Sequence, residues 1–334
     1  MSAAPAPGAA AKAPADDAAR PVGAHKWTPY VLLTPGMAWL AVFFIVPTVM
    51  LVKMSLSSGT AFTGDGSFTF SMSDLQWSTY GDAWSQYVID TPIFQKSLIY
   101  ALIATALTLV IAYPLAYTIA FKSGRWKNFL LVLVIAPFFT SFLLRTNAWQ
   151  TILVDSGPVV TFMNDIGLLN FLHTVTNTPD SWPSWAQIFP DGITAEDRVL
   201  ATPLAVIVGL AYNFLPFMTL PLYASLERID VRLIEAATDL YSSAWTAFRK
   251  VTFPLSLPGV VAGTLLTFIP AAGDPVNAAL LGSAGDALMG NAIDAQFKST
   301  GNYPLAAALS VLLMFVIVAM VTAYVRRAGT EELV

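Results

Sequence analysis

The chain has 334 residues, of which 56% are apolar and only 11% charged, with a formal net charge of −4. A soluble domain carries about a quarter charged residues, so an ordinary soluble protein is excluded. The absence of cysteine excludes a disulfide framework, thiolate catalysis and any metal site built on sulfur, and His25 and His173 stand too far apart to suggest a metal site or a catalytic dyad.

Residues 1–27 are rich in Ala and Pro with scattered charges, a composition that cannot offset chain entropy by burial and so predicts a disordered tail. The apolar run that follows is longer than the h-region of a cleavable signal peptide and is expected to be retained. Charge is then absent from six windows, 30–52, 97–121, 128–144, 199–226, 251–273 and 299–325, of 23, 25, 17, 28, 23 and 27 residues. A bilayer core about 30 Å thick needs roughly 20 helical residues. The expectation is an all-α polytopic membrane protein with six transmembrane helices at about 30–52, 97–121, 128–146, 200–224, 255–280 and 304–325, and a short tail at 326–334.

Placing the amino terminus in the cytoplasm puts 12 of the 17 Lys and Arg residues on that side: three in the tail, Lys122, Arg125 and Lys127, four between Arg228 and Lys250, and Arg326 and Arg327. The positive-inside rule therefore predicts both termini in the cytoplasm of a prokaryote, the outer side holding Lys53, Lys96, Arg145, Arg198, Lys298 and most of the acidic residues. Two outer segments are long, 53–96 and 145–198. Trp149, Trp182 and Trp185 in the second suit either the headgroup level or the docking of an external partner. The stretch 165–180, with GLLNFL, is too short to span and is expected as a short helix on the outer surface.

The inner loop from Glu227 to Gly259 reads ERIDVRLIEAATDLYSSAWTAFRKVTFPLSLPG. It is far longer than the 2 to 8 residues that a bundle connection needs, and it has a helical pattern of its own. Leu233, Ala236, Ala237 and Leu240 recur at helical spacing beside Glu235 and Asp239, which predicts a short amphipathic helix with one packing stripe. Pro254 and Pro258 interrupt the ladder before Gly259, so the chain turns sharply as it re-enters the membrane. A helix lying on the lipid surface would instead show a Lys/Arg-rich polar face.

This stretch resembles the EAA loop of binding-protein-dependent ABC importer permeases. Glu235, Ala236, Ala237, Asp239, Pro254 and Gly259 match the pattern, and Tyr241 stands where the family usually has Gly. The resemblance implies that residues 232–246, Leu240 included, sit in a cleft of an ATP-binding subunit, the coupling loop being 227–254. It extends over most of residues 30–325 and points to the spermidine/putrescine type of permease, through APFFTSFLLRTNAW from Ala136, GLAYNFLPFMTLPLYASLERID from Gly209, FIPAAGD from Phe268 and LMGNAIDAQF from Leu288. It implies the type I ABC importer permease fold. It also implies an assembly with a dimer of ATP-binding subunits, a second homologous permease subunit and an extracytoplasmic solute-binding protein. No cofactor is expected on this chain, ATP-Mg being bound by the partner subunits, and no nucleic acid. The chain carries no G-x-x-x-x-G-K-[ST] stretch and is expected to be a non-catalytic subunit.

Asp274, in PAAGDP, is a charge at the end of the fifth window, where Pro270, Gly273 and Pro275 are expected to break the helix. A flexible polyamine is best held by carboxylates and aromatic faces, which Asp274 and Tyr212 could supply. Asp274 equally suits a helix cap or a pair with Arg145. Asn213 and Asn147 suit interhelical hydrogen bonds or solute contact. A permease for another small solute, or a secondary transporter, are the alternatives, although the latter has no use for the inner helix and its Pro-rich elbow.

Overall fold

The computed structural model describes residues 28–57, 75–176, 189, 194, 198–241 and 243–328. The amino-terminal tail, with His25, lies outside the described residues, as do Trp182 and Trp185. Every element among the described residues is helical. Four helices are long and apolar enough to cross a membrane, Val31–Ser55, Ile93–Lys122, Pro203–Glu227 and Tyr303–Arg327. Two more candidates are bent pairs, Gly124–Phe139 with Phe142–Ile152 at 95° and Ala244–Leu255 with Leu257–Ala272 at 64°. Counting each pair once gives six spans, referred to below in chain order as the first to the sixth.

The third and fifth spans therefore differ from the straight helices that an unbroken charge-free window suggests. The third breaks where Thr140 and Ser141 take extended or near-extended conformations (ψ 149° and 137°), just beyond the short 3-10 turn Ala136–Phe139. The fifth ends its long helix at Ala272, skips Gly273 to Pro275 and restarts as Val276–Leu281. Pro270, expected to break the helix, lies inside it: proline removes one donor from the ladder, which is survivable where neighbouring protein covers the freed carbonyl.

The chain divides into two compact units, Met1–Met50 and Leu51–Val334. The first contains the helix Thr28–Leu40 and the π turn Ala41–Ile45. In the second, the core forms where the second and fourth spans and the helix Leu257–Ala272 meet. Tyr100, Ala104, Leu210, Phe214, Ala271 and Leu281 are buried together there. Lipid tails are as apolar as these side chains, so spans associate through close packing and polar contacts, and small residues allow the approach. Gly263 shows how close: a Cβ built on it would stand 2.7 Å from the Met218 sulfur and 3.0 Å from the Met218 carbonyl oxygen. The sixth span packs separately, with Leu305, Leu309 and Leu313 against Ala83, Tyr87 and Met289.

The expected outer helix is present as Leu168–Thr176, preceded by Pro158–Asp165. His173 is half-buried, with Nδ1 2.8 Å from the Thr194 carbonyl oxygen. A second anchor joins the second span to the segment after the fifth: the Tyr100 hydroxyl donates to Asp286 Oδ1 at 3.0 Å, and Ser283 donates to Asp286 Oδ2 from its backbone N (2.9 Å) and its hydroxyl (2.7 Å). Lys96 Nζ donates to the Gly285 carbonyl at 3.0 Å, and Phe189 stacks on the Tyr100 ring.

Candidate functional site

The inner loop forms the helix Val231–Tyr241. Asp230 starts it, its Oδ1 accepting from the Arg232 backbone N at 2.9 Å, the capping bond a helix start needs. Tyr241 is its last residue, so the turn follows the position where the resemblance puts glycine. The packing stripe differs from expectation. Among Leu233, Ala236, Ala237 and Leu240, only Ala237 is buried, and the helix seats itself through Ala237 and Ile234, the latter against Leu222, Leu226 and Ile229. A helix whose apolar residues spread over two adjoining faces has one face to spare. Leu233 (51% exposed), Leu240 (75%) and Ala236 are left outward together with Glu235 and Asp239, an uncovered face that is half apolar and half acidic. An open groove of about 540 Å³ adjoins it, lined by Arg228, Leu233, Leu255, Pro258 and Gly259 among others.

The elbow lies at Ser256, between Ala244–Leu255 and Leu257–Ala272. Pro254 lies in the last turn of Ala244–Leu255, and Pro258 in the first turn of Leu257–Ala272, where the missing N–H costs nothing. Gly259 permits the fifth span to touch the fourth: a Cβ there would stand 2.5 Å from Ser225 Cβ and 2.8 Å from the Pro221 carbonyl oxygen. Sequence reasoning missed the second-span partners of this elbow. The Tyr113 hydroxyl lies 2.8 Å from Ser256 Oγ. Its ring meets Phe248 edge-on at 5.6 Å and Phe253 at 5.9 Å, and Phe248 also meets Tyr117 and Trp245. Phe248 begins the π turn Phe248–Thr252 that joins the exposed helix to the elbow. At the same end of the bundle Lys127 Nζ meets Glu227 Oε1 at 2.6 Å and lies over the Tyr223 ring, tying the third span to the fourth. No local pattern announces contacts between residues a hundred or more positions apart.

Asp274 is buried and caps the restarted helix: Oδ1 accepts from the Val276 N at 2.9 Å and Oδ2 from the Asn277 N at 3.3 Å and from the Asn277 side-chain amide. It does not pair with Arg145; the ion pairs among the described residues are Lys127–Glu227 and Lys298–Asp294. Asn277 extends the chain inward, its Oδ1 accepting from Asn213 Nδ2 at 3.0 Å, and the same Nδ2 donates to Thr146 Oγ1 at 3.2 Å. Asp274, Asn277, Asn213 and Thr146 thus form one buried polar seam across the third, fourth and fifth spans, and Asn213 Oδ1 remains without a partner. Tyr212 is not in the seam: it meets Trp149 edge-on at 5.4 Å. Asn147 is exposed and also outside it. The break at Asp274 is held by the LMGNAIDAQF stretch, where Asn291 Nδ2 donates to the Pro275 carbonyl at 2.6 Å and a Cβ on Gly290 would lie 2.5 Å from the Gly273 carbonyl oxygen.

The seam also places Arg145 along the fourth span. Its neighbour Thr146 reaches Asn213, the eleventh of the 25 residues of Pro203–Glu227. At about 1.5 Å per residue that is roughly 15 Å along the span, half of a bilayer core.

Residues 112–328 match the family described as "Binding-protein-dependent transport system inner membrane component". The chain is 34% identical over 295 residues to the spermidine/putrescine transport system permease protein PotB of Escherichia coli K12, covering 87% of this chain and 94% of that one. It is 32% identical over 289 residues to PotB of Haemophilus influenzae, covering 86% and 90%. Among solved structures, a bacterial ABC transporter involved in import of the acidic polysaccharide alginate contains a chain similar to this one with a TM-score of 0.57 at 16% identity, covering 90% of this chain and 95% of that one, a likeness of fold alone. With the inner helix, its elbow and the six helical spans in place, the chain belongs to the family of binding-protein-dependent transport system inner membrane components, the permease subunits of ABC importers.

Proposed function

We propose that this chain forms one half of the membrane pathway of an ATP-driven polyamine importer, with spermidine or putrescine as solute. The observation that carries the transport mechanism is the uncovered face of Val231–Tyr241, with Glu235, Ala236, Asp239 and Leu240 outward on a helix joined to the fifth span through the π turn Phe248–Thr252 and the Ser256 elbow. An apolar and acidic helix face standing free at the inner end of the bundle suits a cleft in an ATP-binding subunit. Closure of a dimer of such subunits pushes on this helix, Phe248 and the Ser256 elbow pass the displacement to the fifth span, and the break at Asp274 lies at the far end of that lever. A second homologous permease subunit completes the pathway, and an extracytoplasmic solute-binding protein delivers the solute. Both termini are placed in the cytoplasm, a reading supported by the distribution of Lys and Arg.

The solute assignment follows the names of the relatives and agrees with a carboxylate, Asp274, at a break in a span. Its neighbours Asn277 and Asn213 would offer amide oxygens to ammonium groups once the seam opens. The test is uptake of labelled spermidine and putrescine by cells lacking their own polyamine importer and supplied with this chain and the proteins encoded beside it. Uptake that needs the chain and is competed by unlabelled polyamine is the expected result. A complex that assembles and hydrolyses ATP but transports another solute would overturn the polyamine assignment and leave the coupling role standing.

A further inference from the structure

Arg145 makes no ion pair among the described residues, although its Nε and Nη1 are buried. It lies level with the middle of the fourth span, one residue from Thr146 of the polar seam. The guanidinium carbon sits 5.6 Å from the Phe138 ring and 5.7 Å from the Phe142 ring, and neither Nε nor Nη1, both buried, has a hydrogen-bond acceptor. Two aromatic faces attract a cation but accept none of its donors in the manner of a carboxylate. Leaving this cage therefore breaks none of the bonds that Nε and Nη1 lack.

The surface around it is uncovered. Phe139 is 88% exposed and Leu144 66%, and Asn147 is exposed on the same helix, one turn from Leu143. An arginine and an asparagine at this depth do not suit a face turned to hydrocarbon. Lipid phosphates lie about 15 Å away at the membrane surface, farther than an arginine side chain reaches. A water-filled pathway would solvate the guanidinium without supplying a charge, so a counter-charge at the bend of the third span comes from another protein chain packed on it.

We propose that the bend of the third span, from Phe139 to Asn147, packs against the second permease subunit, and that a carboxylate of that subunit pairs with Arg145 near mid-membrane. The proposal rests on the reading that a second permease subunit completes the pathway. It adds the place of contact on this chain and the chemistry of the partner residue.

The experiment uses the whole co-expressed importer in membranes. A p-benzoylphenylalanine in place of Leu144, which leaves Arg145 intact, is irradiated and its adduct identified by mass; the expected adduct is with the second permease subunit. In parallel, Arg145→Met is expected to lower the co-purified second subunit by about tenfold or more, because it leaves a carboxylate bare, while Arg145→Lys stays near the native level. Neutralising one acidic residue of the second subunit should then restore assembly with Arg145→Met. Adducts with lipid alone, undiminished assembly of Arg145→Met, or suppressors confined to Asp274 of this chain would each overturn the proposal. A native chain that recovers the ATP-binding subunits but no second permease subunit would overturn the two-permease reading itself, a result separable from failure of the Arg145 pair.

Discussion

Gly259 lies against Ser225 so closely that a methyl group on its Cα would stand 2.5 Å from the serine Cβ, with the Pro221 carbonyl oxygen 2.8 Å away. Backbone and a short side chain cannot fold aside as a flexible side chain would. Gly259→Ala should therefore push the fifth span off the fourth, an overpacking cost of about 1–3 kcal/mol. The melting temperature of the purified protein is expected to fall. Gly81, in the helix Ser78–Trp84, has nothing within 4 Å of a built Cβ, and Gly81→Ala should raise stability by roughly 0.5–1 kcal/mol. Equal effects of the two substitutions would refute the close contact.

Glu235 stands on the outward face of Val231–Tyr241, away from the buried Ala237. Glu235→Lys is expected to leave the amount of protein in the membrane and its melting temperature unchanged, since the side chain touches nothing in the fold, while uptake and co-purification of the ATP-binding subunits are lost. Ala237→Asp should behave differently. It puts a carboxylate beneath the helix and should lower the amount of folded protein itself. Normal transport by Glu235→Lys would take the coupling role away from this face.

The hydrogen bond between Tyr113 and Ser256 joins the second span to the elbow. Tyr113→Phe keeps the ring contacts with Phe248 and Phe253 and removes only the hydroxyl, a loss of about 1 kcal/mol. Co-purification with the ATP-binding subunits should persist, because the docking face is untouched. ATP hydrolysis stimulated by the loaded binding protein and uptake should become partly uncoupled, with more ATP consumed per solute carried. An unchanged ratio would show that the elbow transmits force without this bond.

Asp274 both caps a helix and carries charge, and the two roles separate by substitution. Asp274→Asn keeps one accepting oxygen for the Val276 N and gives up the one that faces Asn277, so most of the protein should stay in the membrane, while Asp274→Ala loses the whole cap, about 1 kcal/mol. If a polycation passes here, the amide also loses an attraction of about 1–4 kcal/mol for a contact near 4 Å. Uptake should therefore fall alike in both variants, and stability more in the alanine variant. Full uptake by Asp274→Asn would reduce Asp274 to a cap.

The features legible in the sequence were those written in local patterns. The absence of charge over some twenty residues marked the spans, the two prolines around Ser256 marked the elbow, and Gly273 and Pro275 marked the break at Asp274. The bend of the third span was not legible, because Thr140 and Ser141, both exposed, are ordinary residues that carry no local signal for extended backbone. The same bend hid the depth of Arg145, which a straight helix ending its charge-free window at Leu144 would place at the membrane surface. The inward stripe of the docking helix was misread because Leu233 and Ile234 are equally apolar and only the tertiary contact with Leu222 and Leu226 chooses between them. Asn213 was recognised as a polar residue in an apolar run, yet its partners Thr146 and Asn277 lie 67 and 64 positions away and left no trace near it.

The π turn Phe248–Thr252 places a loosely wound coil between the docking helix and the elbow. Such a turn holds one residue more than an α turn. Rewinding it as α would retract the chain by one register step, rotating whatever lies beyond it by about 100° and shifting it about 1.5 Å along the axis. Phe248 would then leave the pocket between Tyr113 and Tyr117. A joint that rewinds in this way would step between two discrete settings where a plain loop would flex continuously.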